Sequence, residues 1–193
     1  VGYFKTSDVK VIYDNGNPVV LVCNMNHGGT NLKVYKYNNT ASNPEVILDV
    51  PNPSGARLGD KFSVAGTWQS GKLIFHDYNT KNKAYSFAIN GGVVSTVYDT
   101  INYGASYGNI CAFYQYSASE WMLSGVSTYK MPLFSATFVN TNSTLDLPGA
   151  SAVHGVRFFR LYGKSYMAYL HVDSGTSSKL KILELASESD LKT

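Results

Sequence analysis

Apolar and polar residues alternate with a period of two over short stretches along nearly the whole chain, which is the pattern of half-buried β-strands. Aligned with one another, these stretches show the same order of three strands four times over. The first unit runs from Val9 to Tyr13, turns at Asn15-Gly16, continues from Val19 to Asn24, passes a loop with His27-Gly28-Gly29, and ends from Leu32 to Tyr37. The second runs Phe62 to Gly66, Leu73 to Asp77 and Ala84 to Ile89. The third runs Ile110 to Tyr116, Trp121 to Gly125 and Leu133 to Val139, and the last runs Val156 to Leu161, Tyr166 to His171 and Leu180 to Leu185. The third strands begin at 32, 84, 133 and 180, so the steps are 52, 49 and 47. A period of about 48 falls in the range of propeller blades.

A fourth strand follows in three of the units, at Val46 to Val50, Val93 to Tyr98 and Thr144 to Leu147. The last unit has no such partner downstream, whereas Gly2-Tyr3-Phe4-Lys5 at the N-terminus belongs to no unit. A strand borrowed from there would complete the last blade and cover two sheet edges. The pattern therefore predicts an all-β, β-propeller-like fold, with four repeats of about 48 residues and three to four antiparallel strands in each. It fills a single domain over residues 1–193, alone or as part of a larger ring. A two-sheet β-sandwich is the alternative, since it too has short strands and frequent turns. It gives no reason for the repeat.

Composition narrows the class without naming an activity. Aromatic residues make up 13% and charged residues 15%, with 15 Tyr and 9 Phe. That is too apolar for disorder, and a chain of 193 residues can bury roughly 70% of its surface without a metal or disulfide. The net charge of +3 is spread thinly, with no clustered cations for a phosphate backbone, so nucleic acid is not an expected partner. No apolar run approaches the roughly 20 residues of a membrane helix. Cys23 and Cys111 sit in apolar runs and read as small buried hydrophobes, and without Cys/His ligand spacing neither a metal nor another cofactor is expected. The chain begins at Val1, which reads as a mature form, a trimmed chain or a fragment. Abundant Asn, Ser, Thr, Gly and Tyr points to an extracytoplasmic place, secreted or at the cell surface.

Candidate chemistry gathers on loops, because a rigid scaffold carries its binding groups there. The loops between second and third strands hold His27, Tyr78, Tyr129 and Asp173, and the connections between blades hold Arg57, Asp60, Lys61, Tyr103 and Tyr107. Both sets are expected on one rim. Arg57 or Lys61 would meet a carboxylate or hydroxyl-rich ligand, or Arg57 and Asp60 would pair with each other and hold the loop. Tyr103 and Tyr107 would stack on sugars or peptide side chains, or would pack between blades. Trp68 is a candidate second contact surface and Trp121 a core residue. His76 and His171 fall at equivalent places in their second strands, which suggests a structural hydrogen bond. The segment Asp14-Asn15-Gly16-Asn17 starts like a calcium loop, lacks the other ligands and reads better as a hairpin turn. Zinc-protease, P-loop and dinucleotide-binding motifs are absent.

The stretch Arg57-Leu58-Gly59-Asp60-Lys61-Phe62-Ser63-Val64-Ala65-Gly66, followed by a turn and Lys72-Leu73-Ile74-Phe75, resembles a segment of uncharacterised secreted proteins and lipoproteins of gut gram-negative bacteria. Some of those accompany Sus-like outer-membrane systems that capture glycans or peptides. The resemblance implies a non-catalytic extracellular binding module for a glycan or peptide, in a nutrient-capture system and with a lipid anchor in some members. Two other readings stay open: a structural subunit of a surface complex, and a carbohydrate-active enzyme with carboxylates at the channel mouth, Asp60 or Asp173 among them.

Overall fold

The computed structural model describes residues 6–24, 30–38, 43–107, 109–115, 119–126, 130–147, 152–174 and 177–187. Fifteen strands follow one another there, with no helix among the described residues and hence none long and apolar enough to cross a membrane. The strands form four separate antiparallel sheets, each a simple meander in chain order. The first sheet holds β1 (Thr6–Asp14), β2 (Asn17–Asn24), β3 (Asn31–Tyr37) and β4 (Glu45–Pro51). The second holds β5 (Leu58–Gly66), β6 (Ser70–Asp77), β7 (Lys83–Asn90) and β8 (Val93–Asn102). The third holds β9 (Asn109–Gln115), β10 (Glu120–Val126), β11 (Lys130–Ser135) and β12 (Asn140–Asp146), and the fourth holds β13 (Ala152–Leu161), β14 (Lys164–Ser174) and β15 (Ser177–Ser187). The fold class is the propeller-like one that the repeat predicts, and it is not a two-sheet sandwich, because the described strands form four sheets. The segment expected to complete the last blade, Gly2 to Lys5, lies outside the described residues.

The third blade departs from its expected strands. Its third strand stops at Ser135 instead of reaching Val139, because Ser135 accepts the Phe138 N–H at 2.9 Å and donates its own N–H to Val139 at 2.8 Å. This turn carries Phe138 at φ 64° and folds its ring inward against Phe113, with centroids 5.1 Å apart. The fourth strand consequently starts at Asn140, ahead of the expected Thr144.

The outermost strand of each complete blade breaks register against its neighbour, at Val34/Tyr35, Phe87/Ile89 and Pro132/Phe134. Such bulges twist an edge and spoil it as a template for pairing with other chains. On β8 the Ser95 hydroxyl bridges the interruption, donating to the Val97 carbonyl at 2.9 Å and accepting the Val97 N–H at 3.0 Å.

The chain divides into two compact units, Val1–Asn102 and Tyr103–Thr193, with two blades in each. In the first, Ile12, Leu21, Leu32, Val34 and Leu48 of one blade meet Phe62, Leu73, Phe75 and Phe87 of the other in a single apolar cluster. Phe62 stacks on Phe75 at 5.4 Å, and Phe87 meets Phe75 edge-on at 5.8 Å. Trp68 belongs to this core and is only 5% exposed, so it is not a second contact surface. Its backbone N–H donates to the Tyr13 carbonyl at 2.9 Å while the Lys36 ammonium caps its ring at 4.9 Å, which ties the β5–β6 turn to the neighbouring blade. In the second unit Met122, Met131, Leu147, Val156, Met167 and Tyr169 form the core, and the Tyr114 hydroxyl reaches the Val156 carbonyl at 3.1 Å.

Candidate binding site at the bulge of the second blade

The path of β5 places the most polar group of residues in the first unit. Leu58 pairs with Asp77, and the next pair is Phe62 with Phe75, so Gly59, Asp60 and Lys61 stand together opposite His76. A bulge of this size re-aims the side chains that it carries. Gly59 makes it feasible: at φ 86° a side chain would be strained, and a Cβ there would lie 2.5 Å from the Asn24 carbonyl oxygen. The close approach also lets the Cys23 thiol donate to the Gly59 carbonyl at 3.3 Å.

Ahead of the bulge, a short loop is organised by Asn52. Its carboxamide oxygen accepts the Ser54 N–H at 2.9 Å, its amide nitrogen donates to the Ala56 carbonyl, and the Gly55 N–H returns to the Asn52 carbonyl at 3.2 Å. This Asx-type turn delivers Arg57 to the start of β5. The Arg57 Nε donates to both Asp60 carboxylate oxygens, at 2.9 and 2.8 Å, and Nη2 also donates to Asp60. These bonds hold the guanidinium's pKa above its ordinary value. The same guanidinium sits over the Tyr78 ring, its Cζ 4.1 Å from the ring centroid, and the Arg57 carbonyl accepts the Tyr78 N–H at 3.3 Å.

Beyond Tyr78, Asp77 is buried and caps the β6–β7 turn, its Oδ1 accepting the N–H groups of Asn79 at 2.9 Å and Thr80 at 3.1 Å. Lys83 follows, with its ammonium 5.5 Å from the Tyr85 ring centroid, and hydrogen bonding to the Tyr85 side chain holds the ammonium's pKa up. Burial raises the Tyr85 phenol's pKa, and Tyr98 meets its ring edge-on at 5.2 Å.

Arg57 and Asp60 therefore come together as a pair, the loop-holding alternative of the sequence reading, and Lys61 stands half-buried beside them on the bulge. Tyr103 and Tyr107 belong to the second unit. Tyr103 is fully buried, edge-on to Phe113 at 5.9 Å and Phe134 at 5.8 Å, with its carbonyl held by the Asn140 amide at 2.5 Å. It is a packing residue with no face for a ligand. Tyr107 is half-buried, 6.5 Å from Tyr103, and remains at the surface. His27 and Tyr129 lie outside the described residues. Tyr78, one of the loop candidates of the sequence reading, is the residue that the fold brings onto the Arg57 guanidinium.

One polar pair lies deeper, where the Ser63 hydroxyl and His76 Nε2 are 3.2 Å apart. Ser63 is 2% and His76 5% exposed, and burial, aided by the Lys10 and Lys61 charges, pushes the imidazole pKa down to about 3. The pair is a buried hydrogen bond from β6 to the neighbouring β5, the kind of contact that the repeat suggested for His76. Burial, with a further push from Asp8, raises the Cys23 thiol pKa to about 12. Among the described residues no cluster of three or more His, Cys, Asp or Glu could hold a metal ion.

A protein-family profile described as a domain of unknown function (DUF8500) matches residues 1–120, more than half of the chain. The chain belongs to that family. The matched span contains the whole of the first unit, so Asn52, Arg57, Gly59, Asp60 and Tyr78 all lie in the family's domain. No curated protein matches the sequence.

Proposed function

We propose that this protein is a non-catalytic binding module for a glycan or peptide, working outside the cell or at its surface as an accessory of an outer-membrane nutrient-capture system. The supporting observation is the Arg57 guanidinium, fixed by Asp60 along one edge and laid on the Tyr78 ring, at the mouth of a loop braced by Asn52. Asp60 is bonded through Nε and Nη2, so the Nη1 edge is the one that a carboxylate, a peptide carbonyl or a vicinal pair of sugar hydroxyls would meet. A preorganised guanidinium loses little entropy on binding and favours planar, two-point acceptors. The Arg57 side chain is 29% exposed against 8% for Asp60, so the cation is the member within reach of a ligand.

Arrays of uronic-acid glycans, neutral glycans and acidic peptides test this reading. Wild-type protein is expected to retain one ligand class, with retention lost in Arg57→Gln and Tyr78→Ala variants whose circular dichroism is unchanged. Undiminished retention by both variants overturns the site.

A second reading, a structural subunit of a surface complex, draws on the side chains exposed on one face of the first blade: Val9 at 50%, Val11 at 44% and Tyr13 at 56%. Co-purification of a stoichiometric partner from native membranes, lost on Val11→Glu, would favour it over the ligand-binding module.

A further inference from the structure

Two Asn-Gly steps occupy hairpin turns of the first unit, Asn15-Gly16 between β1 and β2 and Asn90-Gly91 between β7 and β8. We propose that Asn15 is a site of spontaneous deamidation in the folded protein and that Asn90 is protected. The chemistry is intramolecular. The backbone nitrogen of the following glycine attacks the asparagine Cγ, a new N–C bond closes a five-membered succinimide, and the Cγ–Nδ2 bond breaks with loss of ammonia. Water then adds to either ring carbonyl and opens the ring, leaving aspartate or, through the other carbonyl, isoaspartate. Side-chain amide and water become carboxylate and ammonium, and no electrons change hands. Asparagine is a thermolabile residue for this reason.

The two sites differ at the attacking atom. Asp14 pairs with Asn17 as the last rung of the β1–β2 ladder, so the Gly16 nitrogen lies beyond it, in the turn. Asn15 and Gly16 stand at φ 48° and 83°, both exposed. The space around the glycine Cβ position is open at Gly16 and Gly91 alike, so the difference lies in what holds the nitrogen and its turn. At the other turn the Gly91 N–H donates to the Gln69 carbonyl at 2.8 Å. Asn90 is clamped from both sides, paired with Ser70 on β6 and Val93 on β8, and Gly92 lies against the buried Trp68 indole. Attack by Gly91 requires this corner to open first.

The product falls on the seam between the two blades. A carboxylate at position 15 adjoins Asp14, whose Oδ1 accepts the Gln69 amide at 2.9 Å. Isoaspartate lengthens the backbone by one methylene, and a two-residue turn matched to the strand twist does not absorb it. The neighbouring Tyr13 carbonyl, which holds the Trp68 N–H, loses its fixed position.

The test is peptide mapping of the whole folded protein during incubation in mildly alkaline buffer, with fragmentation to separate the asparagines, beside the same protein in urea. In the folded state Asn15 is expected to convert roughly tenfold faster than Asn90 or more, because Gly91 reacts only through local opening. In urea the two rates should converge, and Asn15→Ser should abolish the native product. Equal native rates, faster conversion at Asn90, or no conversion at Asn15 while it proceeds in urea would each overturn the assignment.

Discussion

The Asp8 carboxylate accepts the backbone N–H of Phe62 at 3.1 Å across 54 residues of sequence, joining the first strand of one blade to the first strand of the next. The same Oδ2 meets the Lys10 ammonium at 3.0 Å, and Asp8 Oδ1 takes the Val9 N–H at 3.0 Å. One side chain thus satisfies a backbone amide on β5, the edge strand of its sheet. Removing it leaves that amide unpaired in a largely buried seam, at a cost of about 1 to 3 kcal/mol. Asp8→Ala is expected to lower the stability of the first unit by this amount, and Asp8→Asn by less, because the carboxamide oxygen still accepts the Phe62 N–H. Trp68 fluorescence in a Trp121→Phe background reports that unit alone during urea unfolding. Equal losses for the two variants would show that the Lys10 pair, not the amide, is the stabilising contact.

His76 sets an acid limit on the same unit. Its imidazole titrates near 3 when folded and near 6.5 in a free chain, so between those values the unfolded state binds a proton that the native state refuses. Stability from this group is complete above pH 6.5 and falls as the pH drops towards 3, by at most about 1.4 kcal/mol per unit. The urea midpoint of the wild type should therefore fall between pH 7 and pH 5. His76→Gln, which retains a hydrogen-bonding partner for Ser63, should show a flatter profile over the same interval. Parallel profiles would assign the acid sensitivity to other groups.

The repeat of strands was legible because alternation reports which face is buried, and a propeller buries its blades in sequence order. Gly59 was not legible, although it lay in a stretch noted for other reasons, because its role depends on the Asn24 carbonyl 35 residues away. The Tyr103 to Tyr107 segment was open between two readings for the converse reason. Gly, Ser and Asn around two rings describe a binding loop and a packed connection equally well, and the choice is made by Phe113 and Phe134, which only folding brings to Tyr103. Arg57 and Asp60, three residues apart, were within reach of sequence reasoning as a pair. Tyr78 came under the guanidinium only through the hairpin.

The Cys23 thiol should be inert in the native state. With its pKa near 12 and its hydrogen given to the Gly59 carbonyl, only about one molecule in ten thousand carries the reactive thiolate at pH 8. In a Cys111→Ser background, a thiol-specific chromogenic reagent is expected to label Cys23 at the rate of unfolding, accelerating with urea. Rapid stoichiometric labelling of the folded protein would show that the seam around Gly59 opens far more readily than its packing implies.

Gly59 also permits a separation of loop geometry from ligand chemistry. Gly16→Ala and Gly59→Ala place the same methyl group at nearly the same φ, 83° and 86°. The first meets open space, so its cost is the left-handed strain alone, about 1 to 2 kcal/mol. The second adds an overlap with the Asn24 carbonyl oxygen at 2.5 Å, backbone against backbone, which neither strand can relieve by a rotamer change. Its cost should exceed that of Gly16→Ala by roughly 2 kcal/mol or more, on the scale of overpacked cores. The bulge is what carries Asp60 back to Arg57, so Gly59→Ala should also weaken retention of a ligand that needs the fixed guanidinium, with Arg57 and Tyr78 both present. Urea midpoints and array retention, measured on both variants, separate the two effects. If Gly59→Ala loses stability yet retains ligand as Gly16→Ala does, the guanidinium is not positioned by the bulge, and Tyr78 stacking alone must hold it.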